Sequence, residues 1–146
     1  MRSKDFMARL DHKRIVDAIA AAEAKTSGEI RVFIQRGEVA DDPLPFAEKK
    51  FVDLGMQKTA DRNAVLILVA PRPQKFAVVG DEGIHTKCGR EFWEQLVATM
   101  RGHFQREEFT DALVEAIVTA GDLLAAHFPR RSDDRNELSN DVVEGS

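Results

Sequence analysis

The chain has few of the features that mark a secreted or membrane-bound protein. Cys88 is its single cysteine, so no internal disulfide can form, and this favours a reducing compartment. Residues 1–6 lack the continuous apolar stretch of a signal peptide. The longest apolar run, Ala64 to Pro71, is far shorter than the roughly 20 residues that span a bilayer. We therefore expect a cytoplasmic protein without a membrane span or anchor.

The chain also lacks the positive charge of a nucleic-acid-binding protein. Its formal net charge is −4, whereas duplex binding usually needs a basic surface field. Hydrophobic residues make up 43% and charged residues 32%, which is ordinary for a globular protein, and 146 residues fit a single domain. We expect one soluble, monomeric domain that binds no nucleic acid.

Motifs for covalent or nucleotide-dependent catalysis are missing as well. The sequence has no Gly-x-Ser-x-Gly elbow, no phosphate-binding loop and no dinucleotide glycine fingerprint. A cysteine phosphatase needs an arginine six residues after its cysteine, and Glu94 stands there. The sequence therefore indicates no catalytic residue and no cofactor-binding residue.

Hydrophobic periodicity predicts an α/β domain. Asn63 to Ala70 is apolar on both faces, which is typical of a central strand covered by helices on both sides. Trp93, Leu96, Val97, Met100 and Phe104 form a helical stripe that we expect to face the core. The other predicted helices are a segment capped by Asp11 and running to about Lys25, Pro45 to Gly55, and Thr110 to His127; the other predicted strands are Glu29 to Gln35 and Lys75 to Gly80.

The last residues differ in composition from the rest of the chain. From Arg130 onward, Ser, Asp, Asn, Arg and Glu dominate and few residues are apolar. Such a segment cannot bury enough apolar surface to fold. We therefore predict a folded domain over residues 1–129 and a disordered tail over residues 130–146.

The order of the elements places acidic residues at one end of the sheet. The first two strands should be parallel and the third antiparallel to the second, so the starts of the first two and the end of the third share one rim. Glu29, Asp61, Asp81 and Glu82 stand at these places, the last two in what we expect to be a flexible loop, Gly80 to Gly83. Oxygen ligands of this kind suit calcium or magnesium. The alternative is that all four are ordinary solvated acids.

A second candidate metal pair is weaker. His85 and Cys88, three residues apart, fall on one face of a helix. Zinc needs three or four protein ligands, and no second His/Cys pair is evident. We therefore favour a surface imidazole and a partly buried thiol.

Three segments carry a family resemblance by their order and spacing: Thr26-Ser27-Gly28-Glu29-Ile30, Arg62 to Ala70, and Phe76 to Ile84. Together they resemble the TPM domain, a family that includes a thylakoid lumen phosphatase and photosystem repair factors. Coverage runs from about Ile15 to Pro129, and Phe92-Trp93 and a closing helix follow in the expected order. Most relatives are exported or membrane-anchored, and because this chain lacks both signals it resembles an intracellular, unanchored branch. The acidic position differs from that of exported relatives, which carry Gly-x-Gly-x-Glu where this chain reads Gly80-Asp81-Glu82-Gly83.

The resemblance implies a three-layer α/β/α sandwich with a small mixed sheet and a calcium-type site in the acidic loops. Family roles are divided between phosphatase activity, assembly or repair of other proteins, and auxiliary binding, because a fold does not fix a function. We favour a non-catalytic accessory domain that binds calcium and protein clients in quality control. The alternative is a metal-assisted acid phosphatase, with Arg62 or Lys58 beside the metal; the third reading is purely structural.

Overall fold

The computed structural model describes residues 3–35, 42–70, 75–130 and 143–145. Five α-helices, one 3-10 turn and four strands lie within these ranges. In chain order they are α1 Ser3–Arg9, α2 His12–Glu23, β1 Glu29–Gln35, α3 Leu44–Asp53, the 3-10 turn Met56–Lys58, β2 Ala64–Ala70, β3 Lys75–Gly80, α4 Glu82–Gln105, α5 Phe109–His127 and β4 Val143–Gly145.

The four strands form one mixed sheet in the order β3-β2-β1-β4. β1 and β2 are parallel, with Glu29 opposite Ala64. β2 and β3 are antiparallel, with Val65 opposite Gly80. The predicted parallel crossover and antiparallel pair are therefore both confirmed, whereas the turn between them, residues 71–74, lies outside the described residues.

Helices cover both faces of the sheet. On one face, the side chains of Ile30, Val32 and Ile34 pack in a cluster with α2, α4 and α5. On the other face, a smaller cluster joins Phe33, Leu66 and Leu68 to the buried face of α3. Every residue of β2 is buried, as its two-sided apolar sequence predicts. The predicted three-layer α/β/α sandwich is confirmed.

The first long helix begins where the sequence indicates. The side chain of Asp11 accepts a hydrogen bond from the backbone N–H of Arg14, 3.2 Å away, and so caps the start of α2. Pro45 lies in the first turn of α3, where its missing N–H costs nothing. Gly55, with φ 72°, follows the end of that helix in the left-handed conformation that favours glycine.

The segment Gly80 to Gly83, expected to be a flexible acidic loop, is instead the junction of β3 and α4. Asp81 is the N-cap of α4, and its Oδ1 accepts a hydrogen bond of 2.7 Å from the N–H of Glu82. Aspartate caps a helix because its oxygen satisfies a backbone donor that has no partner inside the helix. The loop prediction is therefore wrong.

The buried stripe of α4 includes two of the five predicted residues, Leu96 and Met100, and adds Phe92. Phe92, Leu96 and Met100 are fully buried, whereas Trp93 and Val97 are half-buried at the flank of the helix. A non-helical residue, Gly89 with φ 69°, breaks the helix before this stripe. Successive residues of a helix are about 100° apart, so Trp93 and Val97 lie beside the buried row of Phe92, Leu96 and Met100.

The C-terminal segment contributes a short strand that the sequence does not predict. β4 pairs in parallel with β1, with Val143 opposite Phe33. Residues 131–142 and 146 lie outside the described residues, so the domain boundary at residue 129 and the disorder of the rest of the tail stay predictions. Within the described part of the chain, no helix has both the length and the apolar character that crossing a membrane requires.

Candidate functional site

The candidate site lies at the rim where β1 and β2 begin and β3 ends. Because Glu29 is opposite Ala64 and Val65 is opposite Gly80, these three points fall at the same end of the sheet. The sequence reasoning thus locates the rim correctly. However, the acidic side chains at this rim each interact with a different partner residue.

Asp81 is held by an arginine. Its carboxylate is buried, with 5% of the residue exposed, and both of its oxygens accept hydrogen bonds from Arg62. The two distances are 2.7 Å from Nε to Oδ2 and 2.8 Å from Nη2 to Oδ1. Arg62 adopts φ 52°, an uncommon conformation for a residue with a side chain. This pair joins the start of α4 to the loop before β2.

Asp61 and Glu82 lie next to this pair. The Oγ of Ser27 is 3.5 Å from Oδ2 of Asp61 and accepts a hydrogen bond of 3.1 Å from Nδ2 of Asn63. The Glu82 side chain is 77% exposed, and its Oε2 is 3.8 Å from Nη1 of Arg62. Both carboxylates therefore lie at the surface of the rim.

Glu29 is buried, with only 3% of the residue exposed, and it interacts with Glu23 of α2. Oε2 of Glu23 accepts a hydrogen bond of 2.8 Å from the N–H of Ile30. Burial, together with the neighbouring Glu29 carboxylate, raises the pKa of Glu23 to about 8, against the opposing effect of the Ile30 hydrogen bond. The sequence analysis missed Glu23, because one glutamate near a helix end carries no pattern that would reveal its burial.

Asp61 and Glu82 line a cavity of about 590 Å³ at the rim, which we call the rim cavity. The other charged or ionisable residues of its wall are Arg62, Lys87 and His127, so the wall carries both signs of charge. Gly83 also lines it, and a Cβ at that position would lie 2.3 Å from the carbonyl oxygen of Asp61. Glycine there lets the first turn of α4 press against the loop before β2.

The opposite wall of the rim cavity is fixed by the end of α5. The carbonyl oxygen of Phe128 accepts hydrogen bonds from the hydroxyl of Thr26 and from the N–H of Ser27, the latter 2.9 Å long. Thr26 and Pro129 form an antiparallel bridge. The segment between α2 and β1 is therefore tied to the segment after α5.

The four predicted metal ligands do not all reach the rim cavity. Asp61 and Glu82 line it, whereas Glu29 is not among its lining residues and both oxygens of Asp81 are engaged by Arg62. Across the described residues, no group of three or more His, Cys, Asp and Glu side chains is placed to hold a metal ion. The calcium site stays a prediction.

The second candidate pair is described in part. Nδ1 of His85 accepts a hydrogen bond of 3.2 Å from Nε1 of Trp93, eight residues further along the chain. The side chain of Cys88 lies outside what the structure describes.

Comparison with known proteins settles the family. The profile of the TPM domain matches residues 2–123, most of the chain. This chain belongs to the TPM domain family. The TPM domain described here is also similar to the NMR structure of the BA42 protein from the psychrophilic bacterium Bizionia argentinensis, with 38% identity, 92% of each chain covered and a TM-score of 0.86.

A more distant structure shares the fold alone. The N-terminal domain of a protein from P. gingivalis is 14% identical to this TPM domain, with a TM-score of 0.61 over 79% of this chain and 75% of that one. No curated protein matches the sequence. The comparisons thus establish the family and the fold of this TPM domain.

Proposed function

We propose that this TPM domain is a non-catalytic accessory domain that binds calcium at the rim cavity and binds other proteins as clients in quality control or repair. The observation that carries the cation part is the placement of two carboxylates, Asp61 and Glu82, on the wall of one solvent-open cavity. The hydroxyl of Ser27 lines the same wall. Hard oxygen atoms of this kind are the ligands that calcium prefers.

The donor set fits calcium better than it fits zinc. Asp61, Glu82 and Ser27 offer oxygen atoms, and calcium takes six to eight such ligands with water completing its shell. Asp81 can join only when Arg62 withdraws, because the guanidinium occupies both carboxylate oxygens. Glu29 has no place in this set, since it is paired with Glu23 below the surface.

The polar contacts of Ser27 favour a binding role over covalent catalysis. Its hydroxyl hydrogen-bonds to Asp61 and Asn63, neither of which is the histidine that would activate a serine nucleophile. Asp61 and Glu82 would bind the cation, and the contacts of the Phe128 carbonyl would hold the facing wall in place.

One observation keeps the phosphatase alternative open to test. Arg62 and Lys87 line the same cavity as the two carboxylates, so cationic groups for a phosphate lie beside groups for a metal. Lys58, the other cation considered from the sequence, is not among the lining residues. A phosphatase would therefore have to use Arg62 or Lys87.

The test is a calcium titration followed by amide NMR and thermal unfolding. We expect shifts at residues 61, 82 and 83, and stabilisation of about 2.7 kcal/mol at a hundred times the dissociation constant. D61N and E82Q should each weaken binding, whereas E91Q, an exposed acid on the same α4 helix, should not. Absence of any shift or stabilisation in millimolar calcium rejects the site.

A second assay separates the two functions. Hydrolysis of a phosphomonoester that requires calcium or magnesium and disappears in D61N would replace the accessory function with the phosphatase. We expect no turnover above the level of the D61N variant across acid to neutral pH.

A further inference from the structure

The outer edge of β3 exposes backbone groups beside which the described part of the chain places no strand. β3 is the edge of the sheet, and within the described ranges no strand pairs on its outer side. The N–H of Asp81 donates to the carbonyl of Ala64 at 3.0 Å, which fixes the hydrogen-bonded pairs of the β2–β3 ladder. Because such pairs alternate, Phe76, Val78 and Gly80 direct their N–H and C=O groups away from β2.

Helices from both layers extend past this edge and turn it into a groove of about 420 Å³, which we call the β3 groove. Its floor is the strand from Phe76 to Gly80. Leu44 and Glu48 of α3 form one wall, and Trp93 and Val97 of α4 form the other. The outer edge of β3 therefore lies between α3 and α4, one helix from each layer that covers the sheet.

The wall on α4 is apolar and held in position. The Trp93 ring packs so closely on Gly80 that a Cβ there would lie 1.9 Å from Cη2, so glycine is needed at that place. The indole N–H donates to Nδ1 of His85, which satisfies the polar end of the ring. Trp93 and Val97 are only half-buried, which leaves apolar surface to contact a ligand.

The wall on α3 carries negative charge. Glu48 and Asp42 are both exposed and both line the β3 groove, and Leu44 between them is 42% exposed. Side chains of an added strand point alternately to the two faces of the sheet. Such a strand would place every second residue against Trp93 and Val97 and the others against Glu48 and Asp42.

We infer that the β3 groove binds an extended segment of a partner protein by strand addition, and that this segment alternates apolar and basic residues. The inference rests on the client-binding part of the proposed function and not on its cation. Backbone pairing along β3 gives the affinity and the two walls give the selectivity. A second copy of this chain fits less well, because edge-to-edge pairing would bring Glu48 of both copies to the same groove.

The experiment uses a peptide that matches the groove, Val-Lys-Val-Lys-Val with blocked ends. Trp93 is the only tryptophan of a chain without tyrosine, so its fluorescence reports directly on one wall. We expect a saturable change in that fluorescence and amide shifts at Phe76, Val78 and Gly80. The peptide with glutamate in place of lysine should bind at least tenfold more weakly.

Two matched comparisons test the mode of binding. E48K should weaken the lysine peptide at least tenfold, whereas D53K, the same change of charge on an exposed residue of α3 outside the groove, should not. N-methylation of the valines or of the lysines blocks one backbone edge of the peptide, so one of the two methylated peptides should lose binding. Equal binding of both would overturn strand addition.

Titrations in EDTA and in calcium separate this inference from the cation site. Binding of the peptide in EDTA supports strand addition at the β3 groove, whether or not the protein binds calcium. Failure of the peptide to bind in both conditions overturns the inference, and the calcium titration then still tests the rim cavity independently. Sedimentation of the free protein addresses the second copy. A dimer whose amide shifts centre on Phe76 and Val78 would assign the edge to self-pairing and overturn a peptide partner.

Discussion

Arg62 binds both carboxylate oxygens of Asp81, while the same carboxylate caps the first turn of α4. The buried Asp81 therefore has two structural roles: it pairs with Arg62, 19 positions away in the sequence, and it caps α4. A fork of two parallel hydrogen bonds is the strongest geometry available to an arginine and a carboxylate. Any cation that uses Asp81 must compete with this fork.

Replacement of Arg62 should therefore have opposite effects on stability and on calcium binding. We expect R62Q to lower the free energy of unfolding without calcium by about 1–3 kcal/mol, because the buried Asp81 loses its partner. The same variant should bind calcium more tightly, since Asp81 becomes available. R14Q, which removes an exposed pair with Asp111, should cost less than about 1 kcal/mol and leave calcium binding unchanged. Denaturant unfolding with and without calcium measures both effects, and weaker calcium binding by R62Q would argue against competition.

The buried pair of Glu23 and Glu29 should make stability depend on pH. The pKa of Glu23 is raised to about 8, above its ordinary value, so the folded protein holds this proton more tightly than the unfolded chain. The stabilisation that comes from this proton is complete below the ordinary pKa of glutamate. It is lost as the pH rises through about 8, by at most about 1.4 kcal/mol for each pH unit.

The matched variant is E23Q, which keeps the shape and removes the titration. We expect the difference in unfolding free energy between E23Q and the parent to move in favour of E23Q from pH 5 to pH 8. His103, whose pKa is raised by its hydrogen bonds to Glu108 and Glu115, is present in both proteins and cancels in this difference. A difference independent of pH would mean that Glu23 ionises normally in the folded protein.

Two neighbouring aromatic residues of α4 should differ in their contribution to stability. Phe92 is 1% exposed, so F92A should cost about 3–5 kcal/mol, as large buried cavities do. Trp93 is half-buried at the β3 groove, so W93A should cost clearly less in spite of its larger side chain. Urea unfolding of both variants measures the contrast. A larger loss of unfolding free energy for W93A than for F92A would mean that Trp93 belongs to the core and does not form a wall of the β3 groove.

Much of the fold could be predicted because it depends on local patterns. β1, β2 and β3 lie at or within one residue of the predicted bounds, since the alternation in Glu29–Gln35 and the two-sided apolar run in Ala64–Ala70 directly reflect which faces are buried. Asp11 likewise signals the start of α2 through its own cap. The meeting of three segments at one rim followed from the order of the elements and the preference for parallel crossovers.

The sequence by itself determined the layers, the strand directions and the end of the sheet where acidic residues gather, because periodicity and connection rules act over a few residues at a time. Only the tertiary structure decided what each acid does there. Glu29 pairs with Glu23, Asp81 pairs with Arg62, and Asp61 and Glu82 line the cavity wall, where Ser27 contacts Asp61 and Arg62 contacts Glu82. Those partners depend on distances of a few ångströms between segments that meet through folding, and the strength of an ionic contact varies steeply over that range. The sequence therefore shows that these acidic residues are present, and the fold determines which groups each of them contacts.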